Sequence, residues 1–325
     1  MWTLVPIELH YTAPIDASAL WDYWHDRTIA GVEEWQEHTY RRAVHLPGGP
    51  GIISVHRRGE SLSGHTLSGE ALLADVADTP AARTMLHRTI DAAMSPAAVR
   101  EGLGAHPWLG ELVRRRPGLR APQHPGWFEV TLRAILAQQV SLRAARTHTA
   151  RLVRAVGTPL AQPVGSITHT FPTPGQVLDL AQDQGEVLAM PAGRRRAVLG
   201  VAQAAAEGLD LEDGRSPEAA GRALCALPGI GPWTAQYMRM RALGDPDGFC
   251  GSDLVLRRTA ERLSGLPLEA TGAQFRPWRT YAAHHLWRAA RLHRAGTGAA
   301  HPHRAGTGDA EARRAGTTPT SKERS

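Results

Sequence analysis

The chain has 325 residues, 42% of them hydrophobic, enough apolar material for two or three packed modules. No apolar run reaches the ~18 residues of a membrane span, and the opening Met1-Trp2-Thr3-Leu4-Val5-Pro6 lacks the basic start and apolar stretch of a secretory signal. A soluble, intracellular (cytoplasmic) protein with no membrane partner is therefore expected. The formal charge of +6 points to a polyanionic partner, but from His293 onward six basic residues face three acidic ones. The tail thus holds half of the excess, and charge alone does not establish nucleic-acid binding. Cys225 and Cys250 are the only cysteines, too few for a disulfide framework, a four-cysteine zinc site or an iron–sulfur cluster. The single lysine, Lys322, lies in the tail, so chemistry needing a lysine amine in the core is excluded.

In chain order, residues 1–75 read as a small mixed α/β domain with an antiparallel sheet. Strand-like runs at 40–46 and 52–57 flank Pro47-Gly48-Gly49-Pro50-Gly51, which is turn chemistry. No Gly-Lys-Ser/Thr follows, so this is a hairpin and not a phosphate loop. Residues 76–116 form a helical connection ending in Arg114-Arg115-Arg116. From Trp127 the apolar residues Phe128, Leu132, Ile135, Leu136 and Val140 recur at helical spacing. Further helices are expected near 175–183, 186–207, 217–226, 232–243, 253–263 and 276–292, giving a compact helical region over 117–292. The fold class is α+β with a mainly helical core.

Residues 293–325 are low in complexity. His293-Arg294-Ala295-Gly296-Thr297-Gly298 recurs at 303–308 and loosely at 313–318, without bulky apolar residues, so a disordered tail is expected. His301-Pro302-His303 has metal-ligand residue types, but a solvated tail is the favoured reading.

The most informative stretch is Leu224-Cys225-Ala226-Leu227-Pro228-Gly229-Ile230-Gly231-Pro232-Trp233-Thr234-Ala235. Ser216-Pro217 opens a helix in the favoured cap arrangement, Gly229-x-Gly231 makes a tight turn, and Pro232 starts the next helix. Backbone N–H groups of Gly229, Gly231 and Thr234 would then sit at a helix N-terminus, a ready phosphate site that carries no sequence preference. A lone Gly-x-Gly more often serves only the turn. The full Leu-Pro-Gly-Ile-Gly string between two helices, however, resembles the hairpin of the helix-hairpin-helix DNA glycosylase superfamily.

Members of that superfamily carry a catalytic aspartate beyond the hairpin, at the start of the next helix, and Gly251-Ser252-Asp253-Leu254-Val255-Leu256 fits. Alone, Asp253 would read as an ordinary N-cap. Asp245 and Asp247, in a Gly/Pro loop, are weaker competitors. Pro117-Gly118-Leu119-Arg120, Arg133-Ala134-Ile135-Leu136-Ala137-Gln138-Gln139-Val140-Ser141, Phe171-Pro172-Thr173-Pro174 and Arg276-Pro277-Trp278-Arg279-Thr280-Tyr281-Ala282 follow in order. With the hairpin they resemble the DNA-3-methyladenine glycosylase II (AlkA-like) branch, most strongly over 117–290.

The resemblance implies a monofunctional glycosylase that flips an alkylated base, of the 3-methyladenine or 7-methylguanine type, out of duplex DNA. Asp253 would stabilise charge on the sugar. Trp233, Tyr237 and Trp287 would line the base pocket, though such aromatics are also ordinary core residues. Gln138 and Gln139 would fill the emptied stack; some relatives have an apolar wedge at the second position. Bifunctional relatives hold a Schiff-base lysine where this chain has Trp233, so no lyase activity is expected. Main-chain carbonyls of Cys225, Leu227 and Ile230 would hold a monovalent cation, Na⁺ or K⁺. No cofactor is otherwise required, and a monomer acting on damaged double-stranded DNA is expected. His284 and His285 are read as packing or surface residues. Two alternatives stand beside this reading: a non-catalytic helix-hairpin-helix DNA-binding protein, and a glycosylase for deaminated or oxidised bases.

Overall fold

The computed structural model describes residues 1–57, 65–181, 187 and 189–296. The tail repeats from 297 on, including His301 and His303, lie outside the described residues.

The N-terminal part is a five-stranded antiparallel sheet formed by β1 (Thr3–His10), β2 (Glu33–Gln36), β3 (Thr39–Leu46), β4 (Gly49–His56) and β5 (Thr66–Leu73), in the order β1-β5-β4-β3-β2. Leu46 pairs with Gly49, so the hairpin loop is only Pro47-Gly48 and β4 starts three residues before the expected 52. Both glycines lie in the ladder for different reasons: Gly49 takes φ +130°, and a Cβ at Gly51 would lie 2.6 Å from Leu46 Cδ1. Helix α1 (Ala17–Arg27), capped by Asp16, lays Leu20, Trp21 and Trp24 on the sheet against Ile7, Leu9, Tyr40, Ile53 and Val55. Removal of these large side chains from water supplies the driving force for this half.

Helices α2 (Thr79–Thr89), α3 (Pro96–Leu103) and α4 (Leu109–Arg115) make the connection. The helical region begins with α5 (Trp127–Leu136), capped at Gly126 in the left-handed region (φ +77°), and α6 (Leu142–Val156), capped by Ser141. The apolar rhythm that continues to Val140 does not prolong α5. The chain turns at 137–140, with Gln139 at φ +57°, a conformation that ends a right-handed helix. A small two-stranded sheet that the sequence does not announce follows: β6 (Pro159–Val164) and β7 (Ile167–His169), whose Leu160 and Ile167 pack on Ala43 and Ile52.

Helix α7 (Pro174–Leu178) is shorter than expected and passes into a 3-10 turn ending at Ala181. Then come α8 (Ala192–Ala206), α9 (Pro217–Cys225), α10 (Pro232–Arg241), α11 (Leu254–Ser264), α12 (Leu268–Thr271) and α13 (Arg279–Gly296). The last helix runs four residues into the segment read as tail. Its closing His293 and Arg294 place cationic residue types at a helix C-terminus, where the dipole favours positive charge. Among the described residues no helix is long and apolar enough to cross a membrane.

The sheet and the helical region meet through buried charge. Arg42 on β3, 1% exposed, donates to Glu33 at 3.2 Å and to Glu129 of α5 at 2.7 Å. Arg133, one turn further along α5, donates to Glu33 at 2.8 Å and to Glu129 at 3.0 Å. His124 abuts the cluster at 3.3 Å from Arg42. Burial and the surrounding guanidinium groups push His124 well below the ordinary imidazole value, so it is neutral.

Two outcomes follow. Glu129→Gln leaves two buried guanidinium groups short of a counter-charge and is expected to lower unfolding free energy by about 3–5 kcal/mol in urea titrations. Burial also holds His284 and His285 below the usual value of 6.5, His285 at about 4. Groups that take up protons more weakly when folded cost stability as pH falls. The urea midpoint should therefore drop from pH 7 to pH 5, and a flat profile would contradict the neutral assignment of all three histidines.

Candidate active site

Helix α9 opens with Ser216 accepting from the Ala219 amide and Pro217 in the first turn, as the sequence predicts. The chain then leaves α9 at Ala226, turns through Pro228 and Gly229, and re-enters at α10 with Gly231 as N-cap. Gly229 sits at φ +81°, and a Cβ there would stand 2.8 Å from Ala197 Cβ, so the turn packs tightly on α8. Gly231 has φ −95° and open space around it. Neither amide donates within the described residues, which leaves a pair of N–H groups at a helix N-terminus for an anion. The Thr234 amide likewise has no acceptor among the described residues; the residue is 1% exposed, and its hydroxyl accepts from the Gln138 side-chain amide at 3.4 Å.

Of the three carbonyls considered for a cation, that of Leu227 already accepts the Ile230 amide at 3.2 Å, leaving one lone pair for a further partner. A buried trio of Glu33, His124 and Glu129 also has metal-ligand chemistry. Arg42 fills its centre, donating to both carboxylates and meeting His124 Nδ1, so this is an ion-pair cluster with its positive charge already supplied.

Asp253 is the N-cap of α11. Its Oδ1 accepts from the amides of Val255 (2.9 Å) and Leu256 (3.0 Å) and from the Trp287 indole N–H at 3.3 Å, while Oδ2 accepts the Trp233 indole N–H at 3.3 Å. Three elements thus converge on one carboxylate: α10, α11 and α13. The cap fixes one oxygen, and the two indoles fix the plane. Oδ2, with a single donor, is the oxygen with acceptor capacity left for a ligand. Trp233 and Tyr237 stack with centroids 5.1 Å apart and planes at 9°, and His284 meets the Trp287 ring edge-on at 5.4 Å. A neighbouring opening of about 480 Å³ shares Gly251 and Ser252 with the aspartate loop but none of these three aromatic rings.

The competing carboxylates are spent on structure. Asp245 is buried and pairs with Arg239 at 2.6 Å, and Asp247 is gripped by Arg276 and Arg279 at 2.7 Å each. His284 and His285 are buried and neutral, in keeping with a packing role.

Gln139 is exposed at the tip of the α5–α6 turn in its left-handed conformation, which a non-glycine residue adopts only where the surroundings impose it. Gln138 is half-buried beneath it; its carbonyl accepts from Arg194 of α8 at 2.6 Å and its side chain reaches Thr234. Arg194 is a residue the sequence reading missed. Its only signal is the run Arg194-Arg195-Arg196 at the start of α8.

A sheet domain joined to a helical body, with a Gly-x-Gly hairpin followed by a capped aspartate, is the fold of the helix-hairpin-helix glycosylases. Residues 6–129 match the AlkA N-terminal domain. The chain is 30% identical over 282 residues to DNA-3-methyladenine glycosylase 2 of Escherichia coli, covering 86% of this chain and 95% of that protein. It is 39% identical over 289 residues to the probable bifunctional transcriptional activator/DNA repair enzyme AlkA of Mycobacterium tuberculosis, covering 87% of this chain but only 56% of that one. The solved 3-methyladenine DNA glycosylase of Archaeoglobus fulgidus superposes with a TM-score of 0.75 at 21% identity, over 89% of this chain and 99% of that one. This chain belongs to the DNA-3-methyladenine glycosylase 2 (AlkA) family.

The two hairpin glycines should respond differently to the same change. Gly229→Ala forces a side chain into the left-handed region against α8 and is expected to cost about 1–2 kcal/mol or more in thermal or urea unfolding. Gly231→Ala has room and should leave stability within about 0.5 kcal/mol of wild type.

Proposed function

We propose that the protein is a monofunctional DNA glycosylase that removes alkylated purines, of the 3-methyladenine and 7-methylguanine type, from duplex DNA as a monomer in the cytoplasm. The observation that carries this reading is the Asp253 carboxylate held between the Trp233 and Trp287 indoles at the N-terminus of α11, beyond the hairpin.

Each element has a task that follows from its chemistry. The free amides of Gly229 and Gly231 take a backbone phosphate and so anchor one strand without reading its bases. The target nucleotide leaves the stack, and the exposed Gln139, backed by Gln138, occupies the space it vacates. Alkylation at a ring nitrogen leaves the base cationic. It is then a good leaving group without protonation, and it is attracted to the electron-rich faces of Trp233, Tyr237 and Trp287. As the bond from base to sugar stretches, positive charge grows on the deoxyribose. Asp253 Oδ2 is placed to stabilise that charge and to orient the water that completes hydrolysis. The two indole donors keep the carboxylate from swinging during this step.

No lysine occurs within residues 1–296, so no amine is available there to form a Schiff base with the sugar. That supports hydrolysis alone, leaving an intact strand with an abasic site. The carbonyls of Cys225, Leu227 and Ile230 would hold a Na⁺ or K⁺ ion, which would stiffen the hairpin and add positive charge beneath the phosphate.

The test is release of free methylated purine from alkylated duplex DNA by wild type and Asp253→Asn, run with and without a final alkali step. The variant should lose about 100-fold or more in single-turnover rate, the usual scale for a lost electrostatic partner of the transition state. Strands should break only after alkali. Equal base release by the variant would remove Asp253 from the chemistry, and breakage without alkali would overturn the monofunctional assignment.

A further inference from the structure

We propose that the exposed arginine face of α6, continued by the N-terminal turn of α8, is a second track for the DNA backbone, lying beside the hairpin; this rests on the glycosylase reading above. Helix α6 contains Arg143, Arg146, His148, Arg151 and Arg154 and no acidic residue. Arg146 is used internally, donating to the Thr28 carbonyl at 2.8 Å. Arg143, Arg151 and Arg154 are exposed, and none makes an ion pair among the described residues. At ~100° per residue the three fall within about 80° of one another around the helix, and they span about 16 Å along it. One strand of a duplex presents about five phosphates over that length.

The face is continuous with the candidate DNA site. Arg194 of α8 holds the Gln138 carbonyl at 2.6 Å, directly under the exposed Gln139. His148 of α6 is held below the ordinary imidazole value by burial and by the charges of Arg151 and Arg194, so the two helices share one field of positive charge. Ala197, about one turn beyond Arg194 on α8, is where the hairpin turn packs, so the same helix leads from the Gln138 contact to the hairpin. The contrast with the rest of the molecule is what gives the cluster meaning. Half of the +6 charge lies in the tail, so residues 1–292 are only mildly basic. Some exposed arginines elsewhere have acidic partners, Arg114 and Arg115 with Glu111 and Arg257 with Glu269, and others such as Arg83 and Arg100 stand singly, whereas α6 carries three exposed arginines and no acidic residue on one helix. A solvated helix face ordinarily intersperses opposite charges at three- and four-residue spacings. Here Arg151 and Arg154 stand three apart with like charge, an unfavourable arrangement that a polyanion laid along the helix would relieve.

The test compares wild type, the triple variant Arg143→Gln/Arg151→Gln/Arg154→Gln, and a control with two exposed arginines of α2 and α3 neutralised, Arg83→Gln/Arg100→Gln. Each is titrated with a fluorescent duplex carrying one abasic-site analogue over a series of NaCl concentrations, with melting temperature as the check on folding. Each lost phosphate contact lowers the slope of log affinity against log salt by about 0.9. The triple variant should therefore lose about 2–3 from the slope and at least tenfold in affinity at moderate salt, whereas the control keeps the wild-type slope. A folded triple variant with the wild-type slope overturns the track while leaving the glycosylase reading intact. A control that loses as much per charge as the triple variant also overturns it, because net charge alone would then explain the effect. Failure of the wild type to release alkylated base would instead strike at the underlying reading and remove both.

Discussion

Two carboxylates and two guanidinium groups buried between sheet and helices set the frame in which everything else is placed. Glu33 and Arg42 come from adjacent strands, and Glu129 and Arg133 from successive turns of α5. Burial of a lone charge is costly, whereas a closed set of opposite charges with satisfied hydrogen bonds is tolerable only in one geometry. The cluster therefore orients α5 against the sheet. Because α5 leads directly into the Gln138–Gln139 turn, it also determines where that turn projects. The Glu33 carboxyl shows the balance: burial opposes its ionised form, and the charges of Arg133 and Arg42 more than offset this, holding it below the ordinary value.

From this frame a chain of polar contacts runs toward the aspartate. His124 meets both Arg42 and the Tyr23 hydroxyl, at 3.3 and 3.2 Å; Arg241 donates to Tyr23; and His284 lies 3.5 Å from Arg241 and edge-on to Trp287. Since the Arg42 guanidinium can only donate, His124 Nδ1 accepts and its Nε2–H faces Tyr23. Trp287 in turn donates to Asp253. The sheet domain thus supports the site although it contributes no residue to it. Arg241, 1% exposed and without a carboxylate partner among the described residues, sits two turns beyond Trp233 on α10, beneath the stacked aromatic pair.

The elements legible in the sequence were those governed by local chemistry. Ser216-Pro217, Gly231-Pro232 and Asp253 have the residue types that cap helices, and each caps one. Pro47-Gly48 has turn chemistry and turns. Where tertiary packing decides, local pattern misled. The apolar rhythm through Val140 suggested a longer α5, but Ser141 starts a new helix and the Gln139 backbone reverses before it. Thr234 is 1% exposed, with its hydroxyl on the Gln138 side chain, a contact that its place in the glycine string does not reveal. The arginines of β3, α5 and α8 looked interchangeable in composition, and only partners far away in sequence separate the buried from the exposed.

What the sequence by itself determined was the inventory and the punctuation: a helical region following a smaller sheet domain, a glycine turn between two capped helices, one well-spaced aspartate and no lysine before the tail. These follow from backbone preferences and residue counts, which need no knowledge of distant contacts. Only the tertiary structure decided that Trp233 and Trp287, 54 positions apart, donate to the two oxygens of one carboxylate. It alone decided, too, that Asp245 and Asp247 are neutralised by arginine while Asp253 is not. Hydrogen bonds and ion pairs act over about 3 Å, and which side chains come that close depends on how the helices pack, a property that no local window of sequence contains.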